Sequence, residues 1–220
     1  MKPTIRDATI ADAPAISELI CRVAQETIFA DGPEEGCRYF LAMNTPAAVA
    51  GKMSGHAYRY YVAELPDRIV GLAAILNNAH LYHLCIDTNV KGTGVGRSLL
   101  EHVRDECLRR VAACLRDTVR RPADLVARYG GEEFVCLLPE TSLDGALQVA
   151  RQLGASVAGL GIEHAHSDAA AVVTVSLGVC TGAGAAGGDV GALLRGADAQ
   201  LYQAKSLGRH RCCGAELALA

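Results

Sequence analysis

The sequence has no tryptophan and only 3 phenylalanines, and aromatic residues fill just 5% of its 220 positions. Single-stranded nucleic acid is held on stacked aromatic side chains, so their scarcity argues against that role. Charge of one sign is never concentrated: the formal net charge is -3 and no long block of acids or bases occurs. A general nucleic-acid or membrane-surface function therefore lacks electrostatic support. No apolar run approaches the roughly 18 residues that a membrane-spanning helix needs. The opening MKPTIRDATIADAPAISEL carries no apolar core of a signal peptide. The 9 cysteines include no CxxC pair. Scattered through apolar segments, they read as reduced, mostly buried thiols of a cytoplasmic protein, with neither a disulfide framework nor a zinc site expected.

What the chain does have is apolar periodicity. With 50% hydrophobic residues, it can bury the core of one larger or two small domains. TIRDATIADAPAISELICRVAQETI reads as a strand and then a helix, with Asp12 as N-cap and Ala15, Ile16, Leu19, Ile20 and Val23 at helical spacing. GPEEGCRYFLAMNTPAAVAGKMSG is less regular and reads as a loop with a short helix. YRYYVAEL and RIVGLAAIL flank Pro66-Asp67 and predict a hairpin, and HLYHLCIDT predicts a third strand. From Arg97 to about residue 120 a helical period runs through Leu99, Val103, Cys107, Val111 and Leu115.

Beyond that helix, DLVARYGGEEFVCLLPE reads as strand, turn and strand. TSLD opens a helix with Thr141 and Asp144 at capping-box spacing. AVVTVSLGVCT reads as a buried strand, TGAGAAGGD as a flexible loop, and DVGALLRGADAQLYQAKSLG as a last helix closed by Gly208. His80 and His83 fit a turn position and a packed strand side chain. His164 and His166 have no neighbouring acid or cysteine to complete a metal site and read as loop residues.

Two glycine-rich turns carry the chemistry. In DTNVKGTGVGRSLL, Gly92, Gly94 and Gly96 lie between a strand and a helix. Glycine lets such a turn point successive N–H groups outward, and the helix N-terminus adds partial positive charge, a cradle for pyrophosphate. With the hairpin and third strand before it, this turn resembles the first two thirds of a GNAT acetyltransferase, over residues 3–103. The resemblance implies that Lys91, Gly92, Gly94, Gly96 and Arg97 bind the pyrophosphate of acetyl-CoA, with Lys91 where the family has Arg or Gln. It also implies that the strand around Leu84 to Ile86 runs beside the pantetheine arm. The later GNAT strand, the helix that often carries a tyrosine acid and the closing hairpin are not visible after Val103, so the acetyl pocket would lose a wall.

The second turn, RYGGEEF (Arg128 to Phe134), resembles the signature hairpin of GGDEF domains, the diguanylate cyclases that join two GTP into cyclic di-GMP. The resemblance extends to Arg121-x-x-Asp124, VTVSLGV, ADAQLYQAKSLGRHR and DECLRRVAACL, over residues 104–213. It implies Glu132 and Glu133 as catalytic, Mg²⁺-binding acids. Gly130, Gly131, Asp105, Lys205 and Arg209 would bind nucleotide, and Arg121 and Asp124 would hold the inhibitory cyclic product. Phosphoryl transfer of this kind rests on positioning and on metal-stabilised charge. The family's first strand, which ends in a metal-binding Asp, and its guanine-reading Asn loop are not present.

The chain thus reads as an α/β (α+β) protein with a mixed, mainly antiparallel sheet and flanking helices. A GNAT-like part over residues 1–103 is joined through the long helix to a GGDEF-like part over 104–213, with a tail over 214–220. The third strand of the first part is expected to fill the gap in the second, giving one continuous sheet in which Asp87 joins Glu132 and Glu133 at Mg²⁺, although the family spacing would place that Asp on Thr88. The expected function is cyclic-di-GMP signalling, with impaired cyclase turnover and the homodimer that this activity requires. The rivals are an acetyl-CoA-dependent N-acyltransferase and a non-catalytic binder of cyclic di-GMP or CoA.

Overall fold

Near-continuous apolar runs along Tyr58 to Leu76 build the first sheet, because successive side chains point to opposite faces and here both faces are buried. The computed structural model describes residues 2–29, 32–77, 80–164, 167–182 and 190–217. The chain divides into two compact units, Met1–Cys107 and Leu108–Ala220.

In the first unit, strands β1 (Thr4–Asp7), β2 (Tyr58–Leu65), β3 (Arg68–Leu76) and β4 (His80–Ile86) form an antiparallel sheet in that order. The hairpin around Pro66-Asp67 is present as expected. Helix α1 (Ala13–Thr27) buries Ile16, Leu19 and Ile20 against Tyr60, Val62, Leu72 and Ala74 of one sheet face. Each such side chain contributes about 1.5–3 kcal/mol on burial. Tyr61, Ala63, Ala73 and Ile75 face the other way and pack with Val95 and Leu99 of α4 (Val95–Thr118). Gly71 permits that approach, since an added Cβ would lie 3.1 Å from side-chain atoms of Ile86, Val95 and Leu99.

The segment expected to be mainly loop holds two helices, α2 (Glu34–Met43) and α3 (Pro46–Ser54). Pro46 does not break structure there, because it occupies the first helical turn and Thr45 caps the Ala48 N–H with its side chain. Asp12 does not cap α1 with its side chain; it accepts from Thr9 N–H and pairs with Arg6.

The second unit holds the hairpin β5 (Leu125–Gly130) and β6 (Glu133–Leu137), helix α5 (Leu143–Gly159), β7 (Leu177–Thr181), α6 (Val190–Ser206) and β8 (Cys212–Glu216). Val111 and Leu115 of α4 pack with Leu153 and Val157 of α5, and Val126, Phe134 and Cys136 of the hairpin close this core. β7 and β8 are parallel, as their connection through α6 allows. The fold is mixed α/β with mainly antiparallel pairing.

The single continuous sheet is not formed. Among the described residues β4 bonds only to β3, and β5–β6 and β7–β8 are separate two-stranded sheets. β4 ends at Ile86 because Asp87 turns the chain into a short 3-10 helix, Thr88–Val90. Three smaller expectations also change. Ser142, not Thr141, caps α5. The strand expected to be buried is confined to Leu177–Thr181 and is half-buried throughout, and Gly214 to Glu216 belong to β8 rather than to a tail. All 9 cysteines are half-buried thiols outside any disulfide, so they are less buried than expected. Most of the expected glycine-rich loop (183–189), His166 and 218–220 lie outside the described residues.

Candidate functional sites

The glycine turn begins at Asp87, whose carboxylate Oδ1 accepts from the backbone N–H and the side-chain amide of Asn89, each at 2.9 Å. Lys91 N–H then bonds to Thr88 O at 3.2 Å and Thr93 N–H to Val90 O at 3.3 Å. Gly92 and Gly94 take φ of +82 and +89, a region that side-chain-bearing residues rarely enter, and no atom lies within 4 Å of a Cβ built on either. Ser98 N–H makes a helical bond back to Gly94 O at 3.0 Å. The N–H groups of the first turn of α4 precede that bond and have no intrahelical acceptor. A glycine turn that opens a helix, with open space at Gly92 and Gly94, is of a kind that can accept an anion. Lys91 is exposed, and Arg97 makes an exposed pair with Glu101 at 2.9 Å.

Asp87 is not available to a metal. Its side chain is 1% exposed and its Oδ2 accepts from Arg22 Nη2 at 3.0 Å. Burial alone would raise its pKa, but the Asn89 hydrogen bonds and the charges of Arg22 and Arg68 outweigh that and hold the carboxyl below its ordinary value. Sequence reading missed Arg22 and Glu26, which carry no local motif. They reach Asp87 and Thr88 only through the fold.

In the second unit, Gly131 and Glu132 form the two-residue turn of the β5–β6 hairpin, with Gly130 opposite Glu133. Gly131 has φ +54, the conformation that a two-residue hairpin turn asks of its first central position. Arg128 Nε donates to Gly131 O at 2.8 Å and braces the tip. Both glycines have open space where a Cβ would stand, and Glu132 and Glu133 are exposed. Phe134 turns inward to the core.

At the other end of β5, Arg121 reaches Asp124 through Nε at 2.9 Å and Nη2 at 2.6 Å. Its Nη2 also donates to Thr141 Oγ1 at 2.6 Å and Pro139 O at 3.3 Å. Arg120, the preceding residue, lines a groove of about 790 Å³ with Arg110, Asp117, Gln152 and Ser156 between α4 and α5. Lys205 lies exposed in the last turn of α6. Gly208 takes φ +105, ending the helix as expected, and Arg209 follows at φ +60. Asp105 lies on α4 beside Arg104.

Of the three carboxylates expected at Mg²⁺, Asp87 belongs to the first unit and Glu132 and Glu133 to the second. Among the described residues no group of three or more His, Cys, Asp or Glu could hold a metal ion, and both Asp87 oxygens are already engaged. No helix of the described residues is long and apolar enough to cross a membrane.

A family model of the diguanylate cyclase GGDEF domain matches residues 101–211, and one of the GNAT acetyltransferase domain matches residues 28–151. The chain belongs to both families. The two matches share α4 from Glu101 onward, the GGEEF hairpin and the first half of α5. The GNAT likeness thus begins later and continues well past Val103, where the sequence reading ended it.

The response regulator PleD of Caulobacter vibrioides is 37% identical over 168 residues, 76% of this GNAT–GGDEF chain and 36% of PleD. The chain therefore spans about a third of the length of that relative. Among solved structures, N-acetyltransferase PaiA of Thermoplasma acidophilum in complex with coenzyme A aligns with a TM-score of 0.45 at 14% identity, covering 62% of this chain and 98% of PaiA. The active GGEEF domain of a diguanylate cyclase from Vibrio cholerae aligns with a TM-score of 0.42 at 28% identity, covering 52% and 69%.

Proposed function

We propose that this protein acts in cyclic-di-GMP signalling by binding guanine nucleotides, with slow or no cyclase turnover. The carrying observation is that β5 bears both parts of the family's apparatus, Asp124 just before it and the GGEEF turn at its far end. Six residues separate them, roughly 20 Å of extended chain. The half-exposed Arg121 guanidinium and the arginine-lined groove suit the phosphates of cyclic di-GMP. The open glycines at the hairpin tip suit close approach by GTP, with Lys205, Arg209 and Asp105 assigned to the same nucleotide by family pattern. Glu132 and Glu133 supply two carboxylates. The family's first strand, which ends in a metal-binding Asp, has no counterpart in the sequence, so efficient Mg²⁺-dependent condensation is not expected. Any turnover would require a homodimer, and the protein would work in the cytoplasm.

A second reading is supported by the φ angles of Gly92 and Gly94 and the open space above them. It is CoA or acetyl-CoA binding at Lys91 to Arg97. The N–H groups there would hold the pyrophosphate, and the coenzyme would supply a thioester-bound acetyl group. Efficient transfer to an amine is not expected.

Calorimetric titration of the full chain with GTP, cyclic di-GMP and acetyl-CoA tests both readings, run beside a GTP turnover assay. Binding of cyclic di-GMP with little GTP consumption is the expected result. Rapid conversion of GTP to cyclic di-GMP would overturn the non-catalytic reading, and silence toward both guanine nucleotides would overturn the signalling assignment.

A further inference from the structure

We infer that Arg22 and Asp87 are positioning residues for the phosphate-binding turn, so that helix α1 sets the geometry in which the coenzyme's pyrophosphate is held; this rests on the CoA reading above. Asp87 is fixed through its backbone as well as its side chain. Its N–H donates to Val70 O at 2.9 Å and its carbonyl accepts from Val90 N–H at 3.0 Å. Its two carboxylate oxygens take Asn89 on one side and Arg22 on the other. The next residue is held too, because Thr88 Oγ1 donates to Glu26 Oε2 at 2.9 Å.

Arg22 and Glu26 stand one helical turn apart on α1 and share a face. That face grips two successive residues of the lead-in, one with a cation and one with an anion. From there to Gly92 the chain has no slack, since the backbone bonds from Lys91 to Thr88 and from Thr93 to Val90 follow directly. A displacement at Asp87 therefore reaches the N–H groups of the cradle.

The chemistry of the anchor points beyond plain stability. Burying a carboxylate is costly, and a well-packed apolar residue often serves a fold as well or better. Here the side chain is 1% exposed, and it is kept charged by the two Asn89 hydrogen bonds and the Arg22 pair rather than replaced by an apolar group. What a carboxylate supplies that an apolar group does not is direction: three donors converge on it and fix where the turn starts.

The test uses the full chain, with CoA, inorganic pyrophosphate and pantetheine as probes. Calorimetry would compare wild type with Arg22→Ala, Arg22→Lys and Asp87→Asn, and circular dichroism would give the folded fraction of each. Arg22→Ala and Asp87→Asn should weaken CoA and pyrophosphate by about tenfold or more per folded molecule. Pantetheine, which lacks the pyrophosphate, should be unaffected, and Arg22→Lys should restore most of the CoA affinity. Hydrogen exchange at Gly92 to Arg97 should quicken in Arg22→Ala. Equal CoA binding by wild type and all variants would overturn the positioning role, as would losses that vanish once the unfolded fraction is removed. Absence of CoA binding by wild type would instead overturn the coenzyme reading beneath it. If Asp87→Asn does not fold, the Arg22 pair decides.

Discussion

Arg121 and Asp124 are bound to each other through two parallel hydrogen bonds, at 2.9 and 2.6 Å, with the Asp124 side chain 3% exposed and the Arg121 side chain 50% exposed. The residues assigned to product binding are thus already partners before any ligand arrives. A fork-to-carboxylate pair of this kind fixes the plane of the guanidinium as well as its place. The same Nη2 also donates to Pro139 O and Thr141 Oγ1, and a phosphate approaching that nitrogen must share or displace these bonds.

The first prediction follows from that pairing. Arg121→Ala should reduce cyclic-di-GMP affinity roughly tenfold to a hundredfold, as expected for loss of a charge-assisted hydrogen bond. Arg121→Lys should recover only part, because an ammonium cannot form the fork. Titration calorimetry at fixed salt measures both. Equal binding by wild type and Arg121→Ala would remove the site.

Gly94→Val is expected to abolish CoA binding. At φ +89 a β-branched residue is strongly disfavoured, and the new side chain would fill the open space through which a pyrophosphate reaches the N–H groups. Backbone strain at that φ should cost about 1–3 kcal/mol and lower the urea midpoint, while the molecules that remain folded should lose their calorimetric signal with CoA. Retained binding in Gly94→Val would show that the phosphates are held elsewhere.

Both turns were legible in the sequence because their chemistry is local. Glycines between a strand and a helix, or between two apolar runs, are favoured where the chain takes positive φ, and Gly92, Gly94 and Gly131 do so. The Arg22–Asp87 pair was not legible, since its members lie 65 positions apart and neither sits in a motif. Of helices α2 and α3, where one short helix was expected, the second was not legible for a different reason. Its apolar spacing is irregular, and Pro46 is compatible with a helix only because it lies where a missing N–H costs nothing. The continuous sheet failed because strand pairing over long range is set by tertiary context, and the 3-10 turn after Ile86 ends β4 inside its own unit.

His83 gives a pH prediction. Asn44 donates through its amide to Phe40 O at 2.9 Å, leaving Oδ1 as the acceptor that faces His83 Nε2 at 3.2 Å. Nε2 therefore carries the hydrogen. The ring also packs against Phe40 and Tyr82. Burial, and then the Lys52 charge, lower its pKa from 6.5 to about 4. The folded state thus resists a proton that the unfolded chain accepts, so the contribution is complete above about pH 6.5 and is lost as pH falls toward 4. The urea midpoint of the full chain should drop across that window. His83→Gln, which keeps a donor for Asn44 but does not titrate, should flatten the slope. An unchanged slope in His83→Gln would assign the acid sensitivity to other groups.

The last prediction tests how the second unit is held together. A Cβ placed on Gly178 of β7 would overlap the Ala197 carbonyl oxygen and the Leu201 amide nitrogen of α6, backbone atoms that a rotamer change cannot move. The same helix meets β7 again at Gly196, where a Cβ would run into Cys180 Sγ, and β8 packs Gly214 under Leu147 of α5. These contacts differ in kind. Sulfur and leucine side chains can turn aside, so Gly196→Ala and Gly214→Ala should be accommodated with modest loss. Gly178→Ala must push α6 off the parallel β7–β8 pair, and overpacking of that sort costs about 1–3 kcal/mol or more. Chemical denaturation of the three variants should rank Gly178→Ala as clearly the least stable. CoA binding should survive in all three, because the glycine turn belongs to the other unit. A Gly178→Ala protein as stable as wild type would mean that α6 does not lie so close against β7.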